Sequence, residues 1–122
     1  MQTKRSRGSV EETVSRLQEV ISDRGLTIFA LFDHSGTAEA HGLTLRSTKV
    51  IVFGSPEAGT PLMQANPLAA LDLPLKVLVW DDDGRTRVSY LPPVELAARY
   101  GLSADLAAKL AGIDAVTDAA IA

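Results

Sequence analysis

GLTIFALFDHSGTAEAHGLTLRSTKVIVFGSPEAGTPLMQANP, residues 25–67, contains two apolar runs that each open into a loop of special residues. Leu26–Phe32 and Lys49–Phe53 are rich in β-branched, leucine and aromatic side chains and are bounded by turn formers, which is the pattern of strands. Asp33, His34 and Ser35 follow the first run; Gly54, Pro56, Gly59, Thr60 and Pro61 follow the second. Loops at strand ends commonly carry binding chemistry.

The flanking sequence supplies the rest of the fold. Ser9 and Glu12 have capping-box spacing, and Val10, Val14, Leu17 and Ile21 then repeat on one face. Gly25 suits the left-handed residue that closes a helix, so a helix is predicted over 10–24. Leu75–Trp80 and Thr86–Leu91 read as two further strands, joined across Asp81–Arg85 as an antiparallel hairpin. Leu75–Trp80 is apolar on both sides except at Lys76, which places it centrally in a sheet. Gln2–Ser6 adds an edge strand whose charges deter further pairing. Short helices are predicted at Ser35–His41 and from a Thr60 cap with Pro61 at the first helical position, breaking near Asn66-Pro67. Another runs from Pro92–Pro93 to Tyr100 and ends at Gly101. Ser103 caps a last helix carrying Leu106, Leu110 and Ile113. The prediction is one α+β domain over residues 1–122, with helices on one face of a mainly antiparallel sheet.

Composition narrows the partners. The net charge is -3, and the only local basic cluster is Lys4, Arg5 and Arg7, which argues against nucleic acid. With no cysteine, disulfides, thiolate metal sites and thiol catalysis are excluded. No apolar run approaches the roughly 18 residues a membrane span needs. The basic start MQTKRSR leads into a helix signal rather than an apolar leader, which predicts a cytoplasmic protein.

Gly54-Ser-Pro-Glu-Ala-Gly59-Thr60 lies between a strand and a helix start and must be compared with the phosphate loop GxxxxGK[ST]. Thr60 stands where that loop needs lysine, which argues against a nucleotide triphosphatase. Two readings remain: free amides at the start of a Pro61 helix that hold a carboxylate or phosphate, or a turn that uses glycine and proline for shape. His34, beside Asp33 and upstream of Glu39 and His41, is the natural acid/base near neutral pH. Adjacent strand residues point to opposite faces, so Asp33 need not touch it. Two histidines seven apart match no zinc spacing, and no metal or cofactor is expected. Asp81–Gly84 lacks the glutamate that closes a calcium loop and reads as a solvated turn. Trp80, Tyr90, Leu62 and Met63 read as core, Met63 alternatively as a pocket wall. Ser35, Ser55 and Ser89 sit in no nucleophile elbow.

These stretches resemble the bacterial and archaeal family catalogued as domain of unknown function 302. The resemblance lies in Ser9-Val-Glu-Glu-Thr13, Gly25-Leu-Thr-Ile-Phe29, Asp33-His34, Gly42-Leu-Thr-Leu-Arg46 and Val50-Ile-Val-Phe-Gly54. It continues through Pro56, Gly59-Thr-Pro-Leu-Met-Gln64, Asp72-Leu-Pro-Leu-Lys76 and Val77-Leu-Val-Trp80 to Ser89-Tyr90. It covers residues 2–101, with a helical extension over 102–122. Lys76 stands where the family pattern leads one to look for arginine, which keeps the charge and loses the planar fork. The resemblance implies a two-layer fold like one half of the TATA-binding-protein-like class, often as a homodimer; DNA binding does not follow from it, and the family has no established activity to carry over. It groups His34, Gly54, Gly59, Thr60, Pro61 and Gln64 in one constellation.

Three functions are compatible with these residues. The first is a homodimer that binds a small molecule or anion through His34, Arg46, Gly54, Gly59, Thr60, Pro61, Met63 and Gln64. The second is an enzyme with His34 as general acid/base, assisted by Glu39. The third is a self-association or protein-interaction module without a pocket, using the sheet and the Leu106, Leu110 and Ile113 stripe.

Overall fold

The computed structural model describes all 122 residues. Five strands form one antiparallel sheet: β1 (Gln2–Arg5), β2 (Thr27–Asp33), β3 (Thr48–Gly54), β4 (Leu75–Asp82) and β5 (Arg85–Tyr90), in the order β1-β5-β4-β3-β2. The central place of β4 follows from its apolar character on both sides. Six helices accompany the sheet: α1 (Val10–Asp23), α2 (His34–Ala40), α3 (Pro56–Ala65), α4 (Pro93–Tyr100), α5 (Ala104–Ala108) and α6 (Gly112–Ile121).

The α1 capping box forms as its sequence requires, with the Glu12 amide donating to Ser9 Oγ and the Ser9 amide to Glu12 Oε1. The apolar face of α1 (Val10, Val14, Leu17, Ile21) then packs against Ile51, Phe53, Val77, Val79 and Val88 of the sheet. Helix α6 lies against α1 and adds Ile113, Val116 and Ala120 to the same core. The opposite face of the sheet keeps Val50, Leu78 and Trp80 half-buried, and Trp80 Nε1 donates to Ser89 Oγ at 3.0 Å.

Two expectations need correction. Helix α3 begins at Pro56, not at Thr60, so Pro61 lies inside it and Thr60 caps nothing. Two prolines compete for the first helical position. Pro56 takes it because Ser55, at φ -139 and ψ 132, has the extended backbone that a residue before proline prefers. Keeping Pro61 within the helix gives up one amide but seats Leu62, fully buried, in the core. The single helix expected after Ser103 is two, α5 and α6, separated at Lys109–Ala111. Ser103 does cap the first, accepting from the Leu106 amide. Leu110 and Ile113 are buried core side chains rather than a free stripe.

Polar ties fasten the periphery. The Tyr100 hydroxyl and Arg99, the latter at 2.8 Å, both donate to Asp72 Oδ2, joining α4 to the turn before β4. The Tyr100 bond, then Arg99, hold the Asp72 carboxyl below the usual carboxylate range against the opposing effect of burial. A carboxyl depressed on folding adds stability above its unfolded value, near pH 4, and loses it as pH falls through the folded value. Tyr100→Phe is therefore expected to lower the midpoint of thermal unfolding at pH 7 and to shrink the difference between pH 7 and pH 2.5. An unchanged pH dependence would show that the bond contributes nothing to stability.

Candidate functional site

The antiparallel pairing of β2 with β3 decides which loop residues can meet. Thr27 pairs with Gly54 and Asp33 with Lys49, so the loop after β2 and the loop after β3 leave the sheet at opposite ends. Six residues of strand separate them, roughly 20 Å. His34 therefore does not join Gly54, Gly59 and Thr60, and the grouping that the family resemblance implies divides in two.

At the Gly54 end lies a cleft of about 280 Å³, small but near the range of ligand pockets. Gly54, Gly59, Thr60 and Met63 of the expected residues line it, while Pro61 and Gln64 do not. Phe29 forms one wall because a β-bulge between Ile28 and Ala30 leaves it outside the ladder. Leu73 and Pro74 form another, and Leu110 and Ile113 close the cleft from the C-terminal helices. Ser55, Thr60 and Lys109 are its only lining side chains with polar groups. Local sequence marks Leu110 and Ile113 as an apolar stripe but holds no signal that Lys109–Ile113 meet Gly54, which depends on the path of the chain.

The start of α3 does not offer the free amides expected of it. Ala58 and Gly59 donate to the Ser55 carbonyl. Glu57 folds back, its carboxylate accepting from Ser55 Oγ at 2.8 Å. That hydroxyl, and then the residue's own backbone amide, hold Glu57 below the usual carboxylate range. The first turn of α3 thus carries a carboxylate of its own, which disfavours a bound anion there.

At the other end His34 opens α2, exposed, with its ring stacked on Phe32 at 6.2 Å between centroids. Asp33 caps that helix, accepting from the Gly36 amide at 2.9 Å and from Ser35 Oγ at 2.8 Å. Those two bonds, the amide first, hold its carboxyl below the usual range. Asp33 is thus committed to the backbone rather than to His34, and His34 and Glu39 share no hydrogen bond. Arg46 lies on an exposed loop and donates to the Asp81 carbonyl at 3.4 Å. No three His, Asp or Glu side chains gather as a metal site.

The family model described as "Domain of unknown function DUF302" matches residues 2–120. The chain belongs to that family. The match passes residue 101 and takes in α5 and most of α6, so the terminal helices lie within the DUF302 span. A crystal structure of an uncharacterized conserved DUF302 protein from Bacillus stearothermophilus has the same fold. It superposes with a TM-score of 0.81 at 21% identity and covers 98% of this chain and 94% of that one. Proteins named fluoride-specific ion channel FluC 1, from Brucella suis biovar 1 (strain 1330) and Brucella abortus biovar 1 (strain 9-941), are each 40% identical over 110 residues. The aligned region is 88% of this chain but 43% and 41% of those proteins, so the chain spans less than half of their length. No helix of the chain is long and apolar enough to cross a membrane.

Proposed function

We propose that the chain is a cytoplasmic homodimer that binds a small, mainly apolar molecule in the cleft beside Gly54 and Gly59. The cleft itself carries this reading: its walls are Phe29, Met63, Leu73 and Ile113, with Lys109 as the single cation. An apolar body with one acidic group matches that lining, and a bare anion matches it poorly. No histidine or carboxylate lines the cleft, so His34 catalysis draws no support from it.

Self-association is read from β2. It is an edge strand, and Phe29, Leu31 and Phe32 are 52%, 42% and 53% exposed along it. Beyond the bulge at Phe29, the apolar edge Ala30–Phe32 can template a further strand, and no lysine or proline blunts it. The other edge, β1, carries Lys4 and Arg5. Native mass spectrometry of the purified chain is expected to give a dimer, with a non-covalent adduct that survives gentle desolvation. Leu31→Lys should return it to monomer. A monomeric parent protein would overturn the self-association, and failure to take up any apolar acid from a panel would overturn the cleft reading.

A second reading rests on the 40% identity to part of the proteins named fluoride-specific ion channels. In it, the chain acts beside such a channel rather than as the pore, since none of its helices is built to cross a bilayer. Deleting its gene should then lower the fluoride concentration that halves growth, with re-expression restoring it. An unchanged concentration would remove this reading.

A further inference from the structure

The basic cluster near the N-terminus plays no part in the apolar cleft, yet the fold gives it a partner. Arg5 and Arg7 lie beside Arg85, brought from the β4–β5 turn, around a polar cleft of about 670 Å³. Neither an acidic nor an apolar side chain lines this cleft. It lies at the end of the sheet away from Gly54, since Asp82 pairs with Arg85 there and Phe53 pairs with Leu75 at the other end. Three of the eight arginines of a chain with net charge -3 thus share one depression.

None of the three takes part in an ion pair; the pairs formed by arginine are Arg16–Glu12, Arg87–Asp82 and Arg99–Asp72. Arg5 stands directly opposite Arg87 in the β1–β5 ladder, an unfavourable like-charge pairing. Asp82 answers Arg87 at 3.2 Å and leaves Arg5 without a counter-charge. The nearby carboxylates are otherwise engaged: Asp81 accepts from the Gly84 amide at 2.9 Å, and Glu12 caps α1. Asp83, at the turn, is exposed and does not line the cleft.

The backbone that carries the arginines is held in place. The Ser6 amide donates to the Thr86 carbonyl at 2.9 Å and the Arg7 amide to Ile121 at 3.3 Å. Gly8 donates to Ser6 Oγ at 3.3 Å, and Ser6 Oγ bonds Thr13 Oγ1 at 2.6 Å. With those amides committed, side chains alone face a ligand. Guanidinium groups present paired donors that match the spaced oxygens of an oxyanion and hold their charge at every physiological pH.

We propose that the cleft between the β1–α1 loop and the β4–β5 turn binds a compact oxyanion of the phosphate or pyrophosphate class through Arg5, Arg7 and Arg85. The site is separate from the apolar cleft and independent of the reading given to it. Titration of the full chain with sodium pyrophosphate at constant ionic strength, followed by amide NMR, is the test. Saturable shifts are expected at Gly8, Gly84 and Thr86. Arg7→Gln with Arg85→Gln should weaken binding about a hundredfold, tenfold for each guanidinium lost, with the remaining spectrum unchanged. Shifts that rise without saturating, that chloride reproduces at equal ionic strength, or that persist at equal affinity in the double variant would overturn the proposal.

Discussion

Removal of residues 103–122 is expected to unfold the chain rather than yield a smaller folded monomer. Leu110, Ile113, Val116, Thr117 and Ala120 are all buried, and α6 covers α1. Burying each larger apolar side chain contributes about 1.5–3 kcal/mol. Losing Leu110, Ile113 and Val116 alone therefore approaches the whole stability of a small domain, about 5–15 kcal/mol. The deletion also frees Lys4, whose ammonium donates to Thr117 Oγ1 and Asp118 Oδ1, each at 2.8 Å, and tethers β1 to α6. Circular dichroism of the truncated chain should show loss of cooperative thermal unfolding. A cooperative transition within about 10 °C of the parent would mean that α5 and α6 are an accessory, available to a partner.

Gly59→Leu is expected to abolish ligand uptake without loss of fold. Gly59 sits mid-helix in α3 and lines the cleft; a Cβ added there would meet only the Met63 methyl, at 3.9 Å. Replacing a helical glycine by a better helix former favours the folded state by about 0.5–1 kcal/mol, so the unfolding midpoint should hold or rise. The leucine side chain would occupy much of the 280 Å³ cleft. Anilinonaphthalene sulfonate, an apolar body with one anionic group, is a suitable probe. Its fluorescence should rise with the parent protein and fail to rise with Gly59→Leu, while Thr60→Ala changes stability little because Thr60 caps nothing. Equal fluorescence with both proteins would place the probe elsewhere, on the β2 edge, and count against the cleft.

The elements with local signals stand where the sequence puts them. The Ser9–Glu12 box starts α1, Gly101 at φ 64 ends α4, and the Asp81–Arg85 turn joins β4 to β5. Each depends on residues within one turn of chain, so a short window carries the information. Thr60 fails as a cap because Ser55-Pro56 offers the same local signal five residues earlier, with Ser55 extended as a residue before proline prefers, and the longer helix places Leu62 in the core. Of the expected site residues, Gly54, Gly59, Thr60 and Met63 share the cleft by virtue of one strand–helix junction.

An α+β domain with a central apolar strand, a charged first edge and membership of the DUF302 family are all legible in the order of the residues. The register of β2 against β3, which parts His34 from Gly54, emerges with the folded chain. So do the apolar cleft, which joins residues 26–75 to Lys109–Ile113, and the arginine cleft, which joins Arg5 and Arg7 to Arg85. The reason is physical. Hydrophobic period and capping act over a few residues of chain, whereas a cleft is the space left when distant segments bury their apolar faces together.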